Sequence, residues 1–324
     1  MKVLITGGAG FLGQKLARAL LERGTLSGPD GSQRKIDRLV LADVAPAHDF
    51  GDARVQVVTG DITDPALMSR LIDADTGSVF HLAAVVSGQA EADFDLGMRI
   101  NLDASRLLLE TCRAAGHKPR VVFTSSVAVY GGQLPDVVRD DTALNPQSSY
   151  GAQKAIGELL LNDFSRKGFV DGRVLRLPTI SVRPGKPNKA ASSFASGIIR
   201  EPLAGQEAIC PVAPSLRLWL LSPRRAIAAL IAGHELSAEK LGNSRTINLP
   251  GLSVSVAEMV AALERVAGKE VVARIRFAPD PAVERIVQSW PGAWDVSRAR
   301  ALGLEGDADF DSVIRSHIED ELGG

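Results

Sequence analysis

A chain of 324 residues can bury a large core, and its 45% hydrophobic and 23% charged residues are an ordinary globular balance. With 37 Lys plus Arg against 38 Asp plus Glu, the net charge is −1, so no nucleic-acid or anionic-membrane partner is expected. Cys112 and Cys210 form no CxxC pair and are expected as small buried residues, and no metal site is expected. The start lacks the apolar segment of a signal peptide, and no apolar run reaches the roughly 18 residues of a membrane helix, so the cytoplasm is the expected location.

In chain order, Val3-Leu4-Ile5 is an apolar run ending at Thr6, followed by Gly7-Gly8-Ala9-Gly10-Phe11-Leu12-Gly13. Leu12, Leu16 and Leu20 then recur at helical spacing, which reads as strand, tight turn and helix. Residues 24–35 look like an inserted polar loop. Further buried strands are predicted at 39–43, 55–58, 79–82, 120–124 and 172–177, with amphipathic helices at 98–115 and 150–167. This alternation predicts an α/β fold, a doubly wound, mostly parallel Rossmann sheet covered on both faces. After about residue 181, Pro184, Pro187, Pro202, Pro211, Pro214 and Pro223 break the rhythm. Residues 1–180 are therefore expected as a dinucleotide-binding domain carrying the catalytic residues. Residues 181–324 are expected as mainly a smaller C-terminal substrate-binding domain, with a segment returning to the sheet. Late elements are a strand at 247–249 and helices at 256–266, capped by Ser255 with Glu258, and at 310–322.

Gly7, Gly10 and Gly13 form GxxGxxG, which supplies a tight turn, a backbone that approaches a pyrophosphate, and close helix packing. Phosphates would sit over the free N–H groups where the helix opens at Phe11 and Leu12. Asp43 ends the second strand, where a carboxylate accepts ribose hydroxyls and repels a 2′-phosphate, so the expected cofactor is NAD rather than NADP. Asp61 and Ile62 follow the third strand, toward the adenine. In His81-Leu82-Ala83-Ala84, small residues such as Ala83 leave room for the cofactor to cross the sheet edge, while His81 itself reads as structural.

Ser126 ends the fifth strand, and Tyr150 and Lys154 share one face at the start of a helix. A phenol of pKa about 10 is a poor base near neutrality. A neighbouring ammonium and a positive nicotinamide ring both favour the phenolate, which makes Tyr150 a base candidate. Ser126 would hydrogen-bond the substrate oxygen and help orient the reacting carbon.

The glycine loop, His81-Leu82-Ala83-Ala84, Asn101, Ser125-Ser126-Val127-Ala128-Val129-Tyr130-Gly131 and Ser149-Tyr150-Gly151-Ala152-Gln153-Lys154 are together similar to the motifs of the extended short-chain dehydrogenases/reductases. That resemblance implies a seven-stranded nucleotide domain and a Ser–Tyr–Lys site at Ser126, Tyr150 and Lys154, and it adds Asn101 to the cofactor set. Nucleotide-sugar members carry an arginine and an aromatic before a His-Val-x-Asp segment. Here Arg217 and Trp219 persist, but Leu221 stands in the place of the histidine and Arg224 in that of the aspartate. The cationic run from Arg176 to Ala190 points instead to a small anionic substrate, with Arg183 and Arg217 placed to take a carboxylate. Residues 84–88, 93–99 and 175–199 are similar to a branch of the family that oxidises a four-carbon sugar acid at C2 with NAD. In that reading Lys154 also holds the nicotinamide ribose, Thr179 contacts the nicotinamide side and Ser87 the polyol end. The competing readings are a nucleotide-sugar epimerase or dehydratase, and a non-catalytic NAD-binding regulator, which an intact Ser–Tyr–Lys group disfavours. The apolar faces of helices 98–115 and 150–167 fit either a homodimer interface or packing on the sheet.

Overall fold

The computed structural model describes residues 1–185 and 189–323. Seven strands form the central sheet: β1 (Lys2–Thr6), β2 (Arg38–Asp43), β3 (Val55–Thr59), β4 (Thr76–His81), β5 (Arg120–Ser126), β6 (Asp171–Leu177) and β7 (Thr246–Asn248). Their spatial order is β7-β6-β5-β4-β1-β2-β3, and every neighbouring pair is parallel. Alternate side chains along a strand leave opposite faces. Val3, Ile5, Leu39, Leu41, Phe80 and Leu175 thus pack with Leu16 and Leu20 of α1 (Phe11–Arg23), while Leu4, Val40, Val79, Phe123 and Val174 face Leu108 of α2 (Ala104–Ala115) and Leu161 of α3 (Ser149–Arg166). Because both faces are buried, the inner strands read as apolar runs rather than alternating ones, whereas the edge strand β3 is largely exposed.

Past β6 the chain builds a second layer. Strand Arg217–Leu221 pairs in parallel with Thr179–Ile180 and antiparallel with Leu252–Ser255. Helix α4 (Phe194–Leu203) and the helices Val256–Ala267 and Phe310–His317 enclose a separate apolar cluster that includes Ile198, Ile199, Leu220, Met259, Leu263 and Ile314. Between these pieces α5 (Pro223–Glu235) packs back on the sheet and β7 adds to its edge beside β6.

Two local expectations are corrected. Residues 24–35 are not a plain loop, because Thr25–Ser27 and Gln33–Lys35 form an antiparallel hairpin. Its polar sequence hides it, since the hairpin is fixed from outside: the Glu235 carboxylate of α5 accepts from the Ser27 N–H at 3.0 Å and from Gln33 Nε2 at 2.7 Å. The helix at 98–115 opens with a π-helical segment, Met98–Asp103, before continuing as α2. Cys112 and Cys210 are free and buried. Among the described residues no cluster of metal-ligating side chains occurs, and no helix is long and apolar enough to cross a membrane.

Candidate active site

The loop between β1 and α1 is built around glycines that tolerate no side chain. Gly7 has φ +73°, and a Cβ there would lie 2.7 Å from the Ala83 nitrogen; one at Gly13 would lie 2.2 Å from the Gly7 carbonyl oxygen. Only hydrogen at these positions lets the loop fold flat between two strand ends. No side chain caps α1, whose N-cap is Gly10, so its leading N–H groups remain available to an anion. Asp43 reaches across from the end of β2: one carboxylate oxygen accepts from the Ala9 N–H at 3.1 Å and the other from the Ala45 N–H at 3.2 Å. These observations fit a dinucleotide, with its pyrophosphate over the glycine cradle and a carboxylate beside it.

Ser126 closes β5, and its Oγ accepts from the Ala128 N–H at 3.2 Å, which starts the tight turn Val127–Val129. The first turn of α3 lies directly on that turn. A Cβ at Gly151 would fall 2.1 Å from the Ala128 carbonyl oxygen, so the glycine permits the approach that brings Tyr150 to Ser126. Both side chains line the same cleft, close enough for the Ser126 hydroxyl to act on the phenol. Burial pushes the Tyr150 phenol up to about 12, against the lowering effect of Ser126 and of the Arg183 charge. The sequence offers the Lys154 ammonium as the cation near this phenol; the charge of Arg183, from a different segment, bears on it as well. Lys154 lies one turn further along α3, 1% exposed, with Nζ 4.7 Å from the centroid of the Phe123 ring and 5.7 Å from that of Tyr150. Burial holds its ammonium down at about 8, opposed by the carboxylate of Glu158.

Behind these residues runs a buried polar chain that motif reading missed. Glu158 accepts from Ser125 Oγ and from both Nε and Nη2 of Arg176, the latter at 2.7 Å. Arg176 Nη1 donates to the Tyr130 hydroxyl at 2.5 Å, and that hydroxyl donates to Asn248 Oδ1 of β7 at 2.9 Å. The chain fixes both strand end and helix, and it places a carboxylate one helical turn beyond Lys154. That spacing is readable in sequence, but the partner of Glu158 is not. His81 is structural, as expected: it bridges Thr6 Oγ1 and Ser105 Oγ and is held neutral by burial at about 3.

A cleft of about 360 Å³ collects Gly7, Gly10, Phe11, Leu12, Gly13, Ser87, Ser126, Tyr150, Lys154, Thr179 and Arg183. Asp43, Asp61, Ile62, Ala83, Asn101 and Arg217 do not line it. Asp61 pairs with Arg99 at 2.9 Å, and Ile62 packs in the core. Asn101 clamps the backbone of Val85 and donates to Gln153 Oε1 at 2.7 Å, which ties the π-helical segment to α3.

The cationic run 176–190 does not act as one patch. Arg176 is consumed by Glu158, whereas Arg183 faces the cleft; Lys186, Pro187 and Asn188 lie outside the described residues. The backbone of Arg183 is held by α4: its N–H donates to Ser196 Oγ at 3.0 Å and its carbonyl accepts from Arg200 Nη1 at 2.6 Å. No carboxylate among the described residues pairs with its guanidinium, which burial and the Arg200 charge hold below the ordinary range. Arg217 is not brought here. Its guanidinium pairs with Glu258 at 3.1 Å and donates to the Ser253 carbonyl at 2.8 Å. The Ser87 hydroxyl lines the cleft and accepts from the Ala191 N–H at 3.2 Å. The sequence singles out neither of two further lining residues, Ser192 inside the 175–199 run and Trp290 outside every motif.

The model of the NAD dependent epimerase/dehydratase family matches residues 3–225. The chain belongs to that family. It is 70% identical over 320 residues to D-erythronate dehydrogenase of Cupriavidus necator, covering 99% of this chain and 98% of that one. It is 48% identical to D-erythronate dehydrogenase of Haemophilus influenzae, with 99% and 100% covered. Among solved structures, the nucleoside-diphosphate-sugar epimerase from Agrobacterium tumefaciens superposes with a TM-score of 0.93 at 46% identity, covering 100% of this chain and 95% of that one. The protein is an NAD-dependent enzyme acting on a CH–OH group, and the expected fold and cofactor hold.

Proposed function

We propose that this enzyme oxidises a small sugar acid with NAD, D-erythronate at C2 to 2-dehydro-D-erythronate. The observation that carries the reading is Arg183, a cation without a carboxylate partner among the described residues, close enough to Tyr150 for its charge to act on the phenol. An acid whose carboxylate meets Arg183 presents the adjacent C2 hydroxyl to Ser126 and Tyr150. The 70% identity to D-erythronate dehydrogenase across nearly the whole chain supports the same substrate.

The glycine cradle would hold the pyrophosphate, with Asp43 beside it for the adenosine ribose and Lys154 for the nicotinamide ribose. When bound, NAD supplies the hydride acceptor for the C2 hydrogen and a positive charge that favours the phenolate. Ser126 Oγ donates to the substrate oxygen and fixes its position. Tyr150 Oη accepts the hydroxyl proton as the C2–O bond becomes a carbonyl. Lys154 keeps a cation beside the phenol ring, and Arg183 holds the carboxylate and lowers the cost of the phenolate. The outer face of α3 exposes Ile156 and Leu159, which supports a homodimer built on α2 and α3.

The test is NADH absorbance with D-erythronate, its C2 epimer and UDP-sugars. The expected result is stoichiometric NADH from D-erythronate, far above the epimer and absent with UDP-sugars. Tyr150→Phe should lower kcat by about 10²–10⁴-fold while NAD still binds. Turnover of a UDP-sugar in place of the acid, or full activity in the Phe variant, refutes the reading.

A further inference from the structure

We propose that Trp290 sets the length of the acid that the cleft accepts. The inference rests on the sugar-acid reading and adds the residue that limits the substrate beyond its reacting carbon. Arg183 and the Ser126–Tyr150 pair together fix two points of an acid, its carboxylate and its C2 hydroxyl. The rest of the polyol chain must then extend toward the remaining walls of the cleft, and Trp290 is the largest side chain among them.

This wall is built from segments distant in sequence. Trp290 follows the helix Pro281–Gln288, which packs on the turn Ala191–Ser193. That turn carries Ser192 into the cleft and ties Ala191 to Ser87, so residues 87, 192 and 290 come together from three elements. The partly buried indole packs against two apolar clusters, the one under α4 and the one containing Tyr130, Trp219 and Trp294. The chain behind it is also fixed: Trp290 N–H donates to the Val287 carbonyl at 3.3 Å, and Ser289 Oγ donates to the Ile286 carbonyl at 2.7 Å. Apolar side chains of both clusters support this partly buried indole, so it resists displacement by a longer acid.

The experiment measures NADH formation by the whole enzyme on four-, five- and six-carbon aldonates, for wild type, Trp290→Ala and Trp290→Phe. One misfitted carbon is worth roughly 10–200-fold in kcat/KM. The expected result is a rise of that order in the six-to-four-carbon ratio for the Ala variant, a smaller rise for the Phe variant, and unchanged NAD affinity. If the Ala variant fails to fold, the Phe variant carries the test through the same ratio. An unmoved ratio in a variant that binds NAD normally overturns the proposal while leaving the sugar-acid reading intact. A wild-type enzyme that oxidises none of these acids overturns both.

Discussion

Replacing Lys154 by methionine should make the folded chain more stable while removing its activity. The ammonium is 1% exposed and lies against the Phe123 and Tyr150 rings, and burial brings it from its ordinary 10.5 to about 8. Each pH unit across that interval is worth about 1.4 kcal/mol, so holding the charge inside costs on the order of 3 kcal/mol. The sign follows from proton binding. Below pH 8 the group is charged in both states and only the folded state bears the cost. Between 8 and 10.5 the unfolded chain binds more protons, so the wild type gains stability as pH rises, and above 10.5 the cost is gone. Methionine keeps much of the chain length without the charge, and Glu158 retains Arg176 as its partner. With an unfolding entropy of about 2.1 cal/mol/K per residue, this 324-residue chain loses about 0.7 kcal/mol per degree near Tm, so a gain of roughly 4–5 °C is expected near neutrality. The assay is thermal unfolding of both proteins at about pH 7 and about pH 10, where the gain should have largely faded. A variant that melts at or below the wild type near neutrality, or a gain of equal size at both pH values, refutes the reasoning.

Two further outcomes follow from the site. In Gly13→Ala the new methyl would fall 2.2 Å from the Gly7 oxygen; the resulting overpacking, about 1–3 kcal/mol, should weaken NAD binding about tenfold or more, read by calorimetric titration. Retained affinity would mean that the loop relaxes freely. Arg200→Gln removes a charged hydrogen bond to the Arg183 carbonyl worth about 1.5–3 kcal/mol, so KM for the acid should rise by about tenfold or more with NAD affinity unchanged. An unchanged KM would show that Ser196 alone holds that segment.

Much of this enzyme is legible in its sequence because the physics is local. A buried parallel strand must be apolar on both faces, so β1, β2 and β4 to β6 announce themselves. A flat turn over a helix start needs glycine, and a four-residue step places Tyr150 and Lys154 on one helical face whatever surrounds them. The three-residue hairpin strands of 25–35 give no such signal, because their order comes from Glu235 more than 200 positions away. Arg183 and Arg217 looked alike in the sequence. Tertiary contacts separated them, giving Arg217 to Glu258 and leaving Arg183 in the cleft.

The sequence by itself therefore determined the sheet, the glycine loop and the shared helical face of Tyr150 and Lys154, since each depends on spacing within one element. Only the tertiary structure decided that Arg183 joins Lys154 near the phenol, how the Glu158–Arg176 pair backs the site, and that Trp290 forms one of its walls. Those facts depend on where distant elements meet, and packing of whole elements, not the spacing of residues within them, sets that meeting.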